Sequence, residues 1–309
     1  MVSIYMTEER VLHELHEPCE GCWIMMTNPT VEELQEVAGE TIDIADLRAA
    51  LDDEEYSRIE LEDGYVLILV DIPTTEVRHE ARVYTTIPLG ILMTDTQIIT
   101  VCTEETPILM HFIERRVREF STKKRMRFVY QILFRTASTY QSTLRIIDKK
   151  RTEIEEGVGE KTEDADLIQM HELESTLVYF ATSLRANGVV LERLSRYKRI
   201  EQFPEDMELL EDVIVENQQA VEMTSIYKDI LNGTRELLSS LMDNRMNNIM
   251  KVLTSITLVM AFPTVITGLF GMNVDVPLSG TPFAFAIIIL AVVVICVFIL
   301  YLLKRKKML

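Results

Sequence analysis

Charge is absent from two long stretches near the end of this 309-residue sequence: residues 252–274 and 276–303 contain no Asp, Glu, Lys or Arg. Buried helices of soluble proteins rarely stay uncharged for so long, and a hydrocarbon core ~30 Å thick needs about 20 apolar residues to cross it. Both stretches therefore read as spanning helices. The link between them is short enough to force antiparallel neighbours, and Pro277, Gly280 and Pro282 keep it non-helical. Lys and Arg are missing from that link, whereas Lys304, Arg305, Lys306 and Lys307 follow the second run directly. The positive-inside rule then puts the C-terminus in the cytoplasm and the link outside. With two crossings, the N-terminal part is expected in the cytoplasm as well.

Other absences narrow the function. Four cysteines (Cys19, Cys22, Cys102 and Cys296) are too few for a disulfide framework in a chain this long, and reduced thiols fit a cytosolic soluble part. The N-terminal "MVSIYMTEERV" lacks a basic segment followed by an apolar one, so no cleaved signal peptide is expected. No phosphate-binding loop and no nucleophile–base pattern occurs, and His79, His111 and His171 are scattered. Neither an enzyme nor an organic cofactor is expected. From Lys251 onward the chain carries five basic residues and one acid, a net +4, which leaves −22 on residues 1–250. Such a part repels nucleic acid and anionic headgroups and suits cations.

What is present before the membrane runs divides in two. Residues 1–120 read as mixed α/β. Candidate strands are "VSIYM", "RVLHEL", "CWIMMT", "SRIELED", "YVLILVDI", "TTIPLGILM" and "QIITVC", rich in Val, Ile, Thr and Tyr and bounded by turn residues. "PTVEELQEVAG" is a short helix with Asn28 or Thr30 as its cap, and "IADLRAALDD" is another. From about residue 123 the spacing becomes helical, and "GVGEKTED" divides two long helices into a hairpin. From Glu205 a helical pattern runs without proline to Phe262. Its residues Val213, Ala220, Met223, Tyr227, Ile230, Leu237 and Leu241 make one stripe able to pack against copies of itself.

The stretch "TGLFGMNVDVP", at the end of the first apolar run, puts Gly-Met-Asn where a plain loop would need only turn residues. Together with "MKVLTSITLVMAFPTVITGLFGMN" and the terminal "YLLKRKKML", it resembles the CorA family of magnesium transporters along essentially the whole chain. The resemblance implies an α+β cytosolic domain with a helical hairpin, a long stalk helix and two C-terminal transmembrane helices in a homopentameric channel. The divisions expected are a domain at 1–120, a hairpin at 121–203, a stalk at 204–251, a pore-lining helix at 252–273, an external loop at 274–282, a second membrane helix at 283–303 and a basic tail at 304–309. Phe270 stands where the family often has Tyr, and the link carries a single acid, Asp275.

Mg²⁺ prefers octahedral oxygen ligands and dehydrates reluctantly. A ring of Asn273 carbonyls can hold the ion through its first-shell waters, with Gly271 and Met272 completing the selectivity filter. Helical steps back from Asn273 give Gly268, Thr264, Ala261, Thr257, Leu253, Met250 and Asn247. Small and hydroxyl residues suit a hydrated path, and Met250 with Leu253 suits a constriction that gates by dewetting. The resemblance also implies that cytosolic Mg²⁺ bridges acids of neighbouring subunits to close the pore. Asp212 matches the stalk acid, with Asp46, Asp52 or Asp53 as partner. Mg²⁺ would be both cargo and regulator, with Co²⁺ or Ni²⁺ as further cargo; the partners are other copies of the chain, the lipid bilayer and divalent cations. Two alternatives stay open: a zinc transporter of the same superfamily, and a non-conducting membrane-anchored scaffold or sensor. A competing zinc constellation is His13, His16, Cys19 and Cys22.

Overall fold

The computed structural model describes residues 1–9, 11–78, 81–157, 164–196, 204–272 and 283–306. It divides into two units, Met1–Thr234 and Arg235–Leu309. Seven strands in the first unit form one sheet: β1 (Val2–Glu8), β2 (Val11–Leu15), β3 (Trp23–Thr27), β4 (Arg58–Glu62), β5 (Tyr65–Arg78), β6 (Ala81–Thr94) and β7 (Ile98–Cys102). Their order is β2-β1-β3-β7-β6-β5-β4, antiparallel throughout except for the parallel pair β3 and β7.

The central strands read as near-continuous apolar runs because helices cover both sheet faces. Successive side chains alternate between two cores. Ile68, Val70 and Ile72 of β5 enter one core, with Leu109 and Phe112 of α3 (Pro107–Ile113), Phe128 and Leu133 of α4 (Arg125–Gly157) and Leu191 of α5 (Asp164–Arg196). Leu67 and Leu69 enter the other, with Leu34 of α1 (Val31–Ala38) and Leu47 of α2 (Ile44–Ala49). Trp23 anchors the first core: it is fully buried, donates its indole N–H to Thr100 Oγ1 at 2.9 Å, and packs edge-on to Phe128 at 5.0 Å. On the opposite face, α2 lies so close to β6 that a Cβ on Gly90 would stand 2.5 Å from the Ala50 Cβ. Thr30, rather than Asn28, caps α1, in a reciprocal box with Glu33.

Strands β5 and β6 run 14 residues each, β5 past Pro73, where the candidate strand "YVLILVDI" stops, and β6 through Pro88, which "TTIPLGILM" already includes. Beyond Leu69 strand β5 has no ladder with β4, and before Leu89 strand β6 has none with β7. The prolines therefore lie in a two-stranded ribbon with free outer edges, where a missing N–H is tolerated. At the start of that ribbon a side chain replaces the absent strand. Asn187 of α5 accepts from the Asp71 N–H at 2.9 Å and donates to the Asp71 carbonyl at 2.7 Å. Tyr140 of α4 donates to the same carbonyl at 3.1 Å, and Thr176 of α5 donates to the Tyr84 carbonyl at 2.9 Å.

Helix α6 (Pro204–Phe270) begins in the first unit. There it buries Leu210, Val213, Asn217, Ala220, Thr224, Leu231 and Thr234, at steps of three, four and seven. The expected stripe is therefore divided. Val213 and Ala220 are fully buried within their own chain, whereas Ile230 is 41% exposed. Asn217 and Thr224 occupy the seam because their polar groups are satisfied inside it, Asn217 donating to the Leu184 carbonyl at 3.1 Å and Thr224 to the Ala220 carbonyl at 2.7 Å.

The second unit holds the remainder of α6 and helix α7 (Ala284–Arg305). Both have segments long and apolar enough to cross a membrane. Pro263 lies inside α6, which continues through it to Phe270.

Burial pushes the Asp71 carboxyl up, outweighing the opposing effect of the nearby Ser183 and Ser57 hydroxyls. The native state thus keeps this proton to a higher pH than the unfolded chain, and its contribution to stability is lost as pH rises through the native pKa. Asp71→Asn is expected to raise the melting temperature at neutral pH, and the difference should vanish below the unfolded Asp range near ~3.9. Thermal melts of both proteins across pH 3–8 check the sign.

Candidate ion pathway

In the membrane part of α6 one face is covered and the opposite face is open. Ser255 is fully buried, and Lys251, Val259, Pro263 and Ile266 are half-buried, in steps of four, four, four and three. Helix α7 presents a matching stripe, with Ile288, Val292, Ile295, Cys296 and Ile299 half-buried and Leu303 buried. The two helices meet where the Cys296 Sγ lies 3.9 Å from the Val259 carbonyl oxygen.

The expected pathway positions from Met250 to Gly268 lie on the other side, while Asn247, four residues before Lys251, lies near the edge of the covered face. Met250 and Leu253 are 52% and 57% exposed, and Asn247, Thr257, Ala261, Thr264 and Gly268 are exposed too. Thr257, Ala261 and Thr264 each lie two residues from a covered one, and two residues turn an α-helix by about 200°. The open stripe is thus almost diametrically opposed to α7. Its hydroxyls are turned back on their own helix: Thr257 donates to the Leu253 carbonyl and Thr264 to the Met260 carbonyl, both at 2.9 Å. Each hydroxyl oxygen keeps its lone pairs outward and can accept from water.

The helix ends at the motif. Gly271 N–H donates to the Thr267 carbonyl at 2.9 Å, and a Cβ added there would stand 3.2 Å from that oxygen. Gly271 and Met272 are exposed. Asn273 and Lys307 lie outside the described residues, as does Asp275. Lys304 and Arg305 occupy the last turn of α7, where cations complement the helix dipole, and Lys306 caps it by donating to the Leu302 carbonyl at 3.0 Å.

The acids of the first unit do not converge within one chain. Asp212 is exposed on α6 and Asp53 is exposed after α2. Asp46 is half-buried and accepts from the Tyr65 hydroxyl at 2.5 Å, while Asp52 accepts from the Glu54 N–H at 3.0 Å. A groove of about 620 Å³ beside α2 is lined by Asp43, Asp46, Asp52 and Glu55 but also by Arg48 and Arg58. Arg58 is already paired, with Glu55 and with Glu60 at 3.0 Å. Among the described residues no group of three or more His, Cys, Asp and Glu side chains is placed to hold a metal ion. The zinc constellation is therefore not assembled: His13 and His16 are exposed, while Cys22 is fully buried, accepts from the Cys19 N–H at 3.4 Å, and has its thiol pKa pushed up by burial. Reading the sequence missed Ser255 and the contact of Cys296. The signal was a small residue four positions after Lys251, on the row that continues through Val259 to Pro263.

A family profile described as CorA-like Mg2+ transporter protein matches residues 20–305. The chain is 30% identical over 294 residues to the cobalt/magnesium transport protein CorA of Methanocaldococcus jannaschii, covering 92% of this chain and 90% of that one. The complete structure of the CorA magnesium transporter from M. jannaschii superposes with a TM-score of 0.83 at 27% identity, over 99% of this chain and 98% of that one. The cytoplasmic domain of ZntB from Vibrio parahaemolyticus superposes with a TM-score of 0.62 over 78% of this chain and 98% of that one. At 10% identity the last match shows a shared fold alone.

Burial is the main cause that raises Tyr65 to about 12, and its bond to Asp46 adds to it. Asp46→Asn is expected to lower the Tyr65 pKa while leaving it above the ordinary value of about 10. Ultraviolet titration of the phenol against wild type reads the change.

Proposed function

The chain belongs to the family of CorA-like Mg²⁺ transporter proteins, and on that premise we propose that five copies form a channel through which Mg²⁺ enters the cell. The observation that supports this reading is the open stripe of α6 directly opposite α7. Two helices of one chain cannot enclose a path. A stripe of Thr257, Ala261, Thr264 and Gly268 turned away from α7 is suited to face the same stripe of other copies around an axis, with α7 outside against lipid. The basic residues Lys304 to Lys307 orient both termini to the cytoplasm of the cell membrane.

In this reading the ion meets Gly271, Met272 and Asn273 first. The Asn273 carbonyl is neutral, so it holds hydrated Mg²⁺ without trapping it. The ion then passes the outward lone pairs of Thr264 and Thr257 and the flexible apolar ring of Leu253 and Met250, which closes by expelling water. Asn247 receives it at the cytoplasmic end. Inward passage of a divalent cation through 100 mV releases about 4.6 kcal/mol, so no nucleotide is needed. Co²⁺, named for the M. jannaschii relative, shares the octahedral preference that this path reads and is the second cargo. Closure by cytosolic Mg²⁺ engages Asp212 with an acid of a neighbouring copy. Asp53, exposed, is the more available partner than Asp46, which already accepts from Tyr65.

Mg²⁺ flux into proteoliposomes tests the reading. Wild type is expected to conduct and Asn273→Ala to lose about tenfold or more, the size of a removed charge-assisted hydrogen bond of ~1.5–3 kcal/mol. An intact oligomer without flux would sink it. Asp212→Asn is expected to conduct at cytosolic Mg²⁺ concentrations that close the wild type and to need more Mg²⁺ for protection against proteolysis. Unchanged protection would remove Asp212 from the regulatory role.

A further inference from the structure

Pro263 and Cys296 act on the same oxygen atom. In an α-helix the carbonyl of Val259 accepts from the N–H four residues on, and here that residue is Pro263, which has none. The Cys296 thiol of α7 lies 3.9 Å from that carbonyl oxygen. Neighbouring carbonyls receive donors from within α6: Thr264 donates to the Met260 carbonyl and Thr267 to the Pro263 carbonyl, both at 2.9 Å. Of these three carbonyls, Val259 is the one reached from α7. An unpaired carbonyl in hydrocarbon costs several kcal/mol, and a thiol, although a weak donor, is what α7 offers there.

We propose that Cys296 is a positioning residue, its S–H replacing the hydrogen bond that Pro263 deletes and thereby fixing the bend of α6 against α7. The inference rests on the pore reading for its consequence. Pro263 lies eight residues before Gly271, about 12 Å along the helix, so a change of bend at Pro263 moves the motif relative to the stripe below it. A thiol is suited to this place: it is small and apolar enough to face lipid or a helix, and it yields a weak bond that bending can stretch without breaking.

Two measurements on the full-length protein in lipid test the assignment. The first is the infrared S–H stretching band of Cys296, isolated as the difference against Cys296→Ser. It is expected below the free-thiol position, and Pro263→Ala, whose restored N–H takes the Val259 carbonyl, is expected to move it up. The second is Mg²⁺ flux. Cys296→Ala is expected to slow entry about threefold, the worth of an average interhelical hydrogen bond in a membrane. Cys296→Ser keeps the wild-type rate, and in the Pro263→Ala background Cys296→Ala changes nothing. A free-thiol band in wild type, or an equal loss from Cys296→Ala in both backgrounds, overturns the proposal, because a packing role would cost the same with or without the proline. Should Pro263→Ala fail to assemble, the wild-type band and the Ser/Ala pair still decide. Wild type without flux would defeat the transport reading and leave the band to judge the bond.

Discussion

Hydrocarbon offers backbone groups no partner, and the membrane half of this chain is organised around that constraint. The helical ladder satisfies most carbonyls, and Thr257, Thr264 and Thr267 add a second donor to carbonyls of their own helix. Among the described residues of α6, the ladder loses a donor at Pro263 and ends after Phe270. At the first, a side chain of α7 stands at the freed oxygen. At the second, the Gly271 N–H donates to the Thr267 carbonyl, and Gly271 and Met272 lie beyond the helix. Irregular backbone at membrane depth is tolerated where it lines a cavity or is covered by protein, which is the setting the proposed function gives Gly271 and Met272.

The same accounting governs the first unit with water replaced by a second core. Helices cover both faces of the sheet, so its central strands can be apolar on both sides. At two positions where a strand runs beyond its neighbour, helix side chains take over. Asn187 imitates a strand at Asp71, and Thr176 covers Tyr84 further along. The cost is a carboxyl held in poor solvation, visible as the raised pKa of Asp71.

Much of this organisation is legible in sequence, and the exceptions share a cause. The seven strands fall on the stretches bounded by turn residues in the sequence, and α4 and α5 end and begin on either side of residues 158–163, which lie outside the described residues. Pro73 suggests an end to β5 because a proline cannot serve a central strand; that its outer edge is free follows only from where β4 stops. The α6 seam is misread for a similar reason, since counting apolar residues skips Asn217 and Thr224, which are admitted by partners on α5 and on α6 itself. In the membrane part the 3.6 period groups Met250, Leu253, Thr257 and Thr264 on one face. Which face meets α7 is not legible, because lipid and a neighbouring helix are equally apolar and hydropathy cannot tell them apart. Ser255 settles it by burial.

The Asn187 contact also bears on how copies of this chain can meet. A two-stranded ribbon with bare edges is a template for strand-to-strand zippering, and proteins concentrated side by side on a membrane are exposed to that hazard. By occupying both hydrogen-bonding groups of Asp71 with a side chain of its own helix, the chain withdraws that position from intermolecular pairing. Pro88, directly opposite Asp71, and Pro73, two residues further along, offer no N–H to an invader. In the proposed assembly this leaves contact between neighbours to helices, whose register is set by side-chain shape and can slide or tilt, rather than to strands, which lock once joined. An assembly that must open and close gains from surfaces of the first kind.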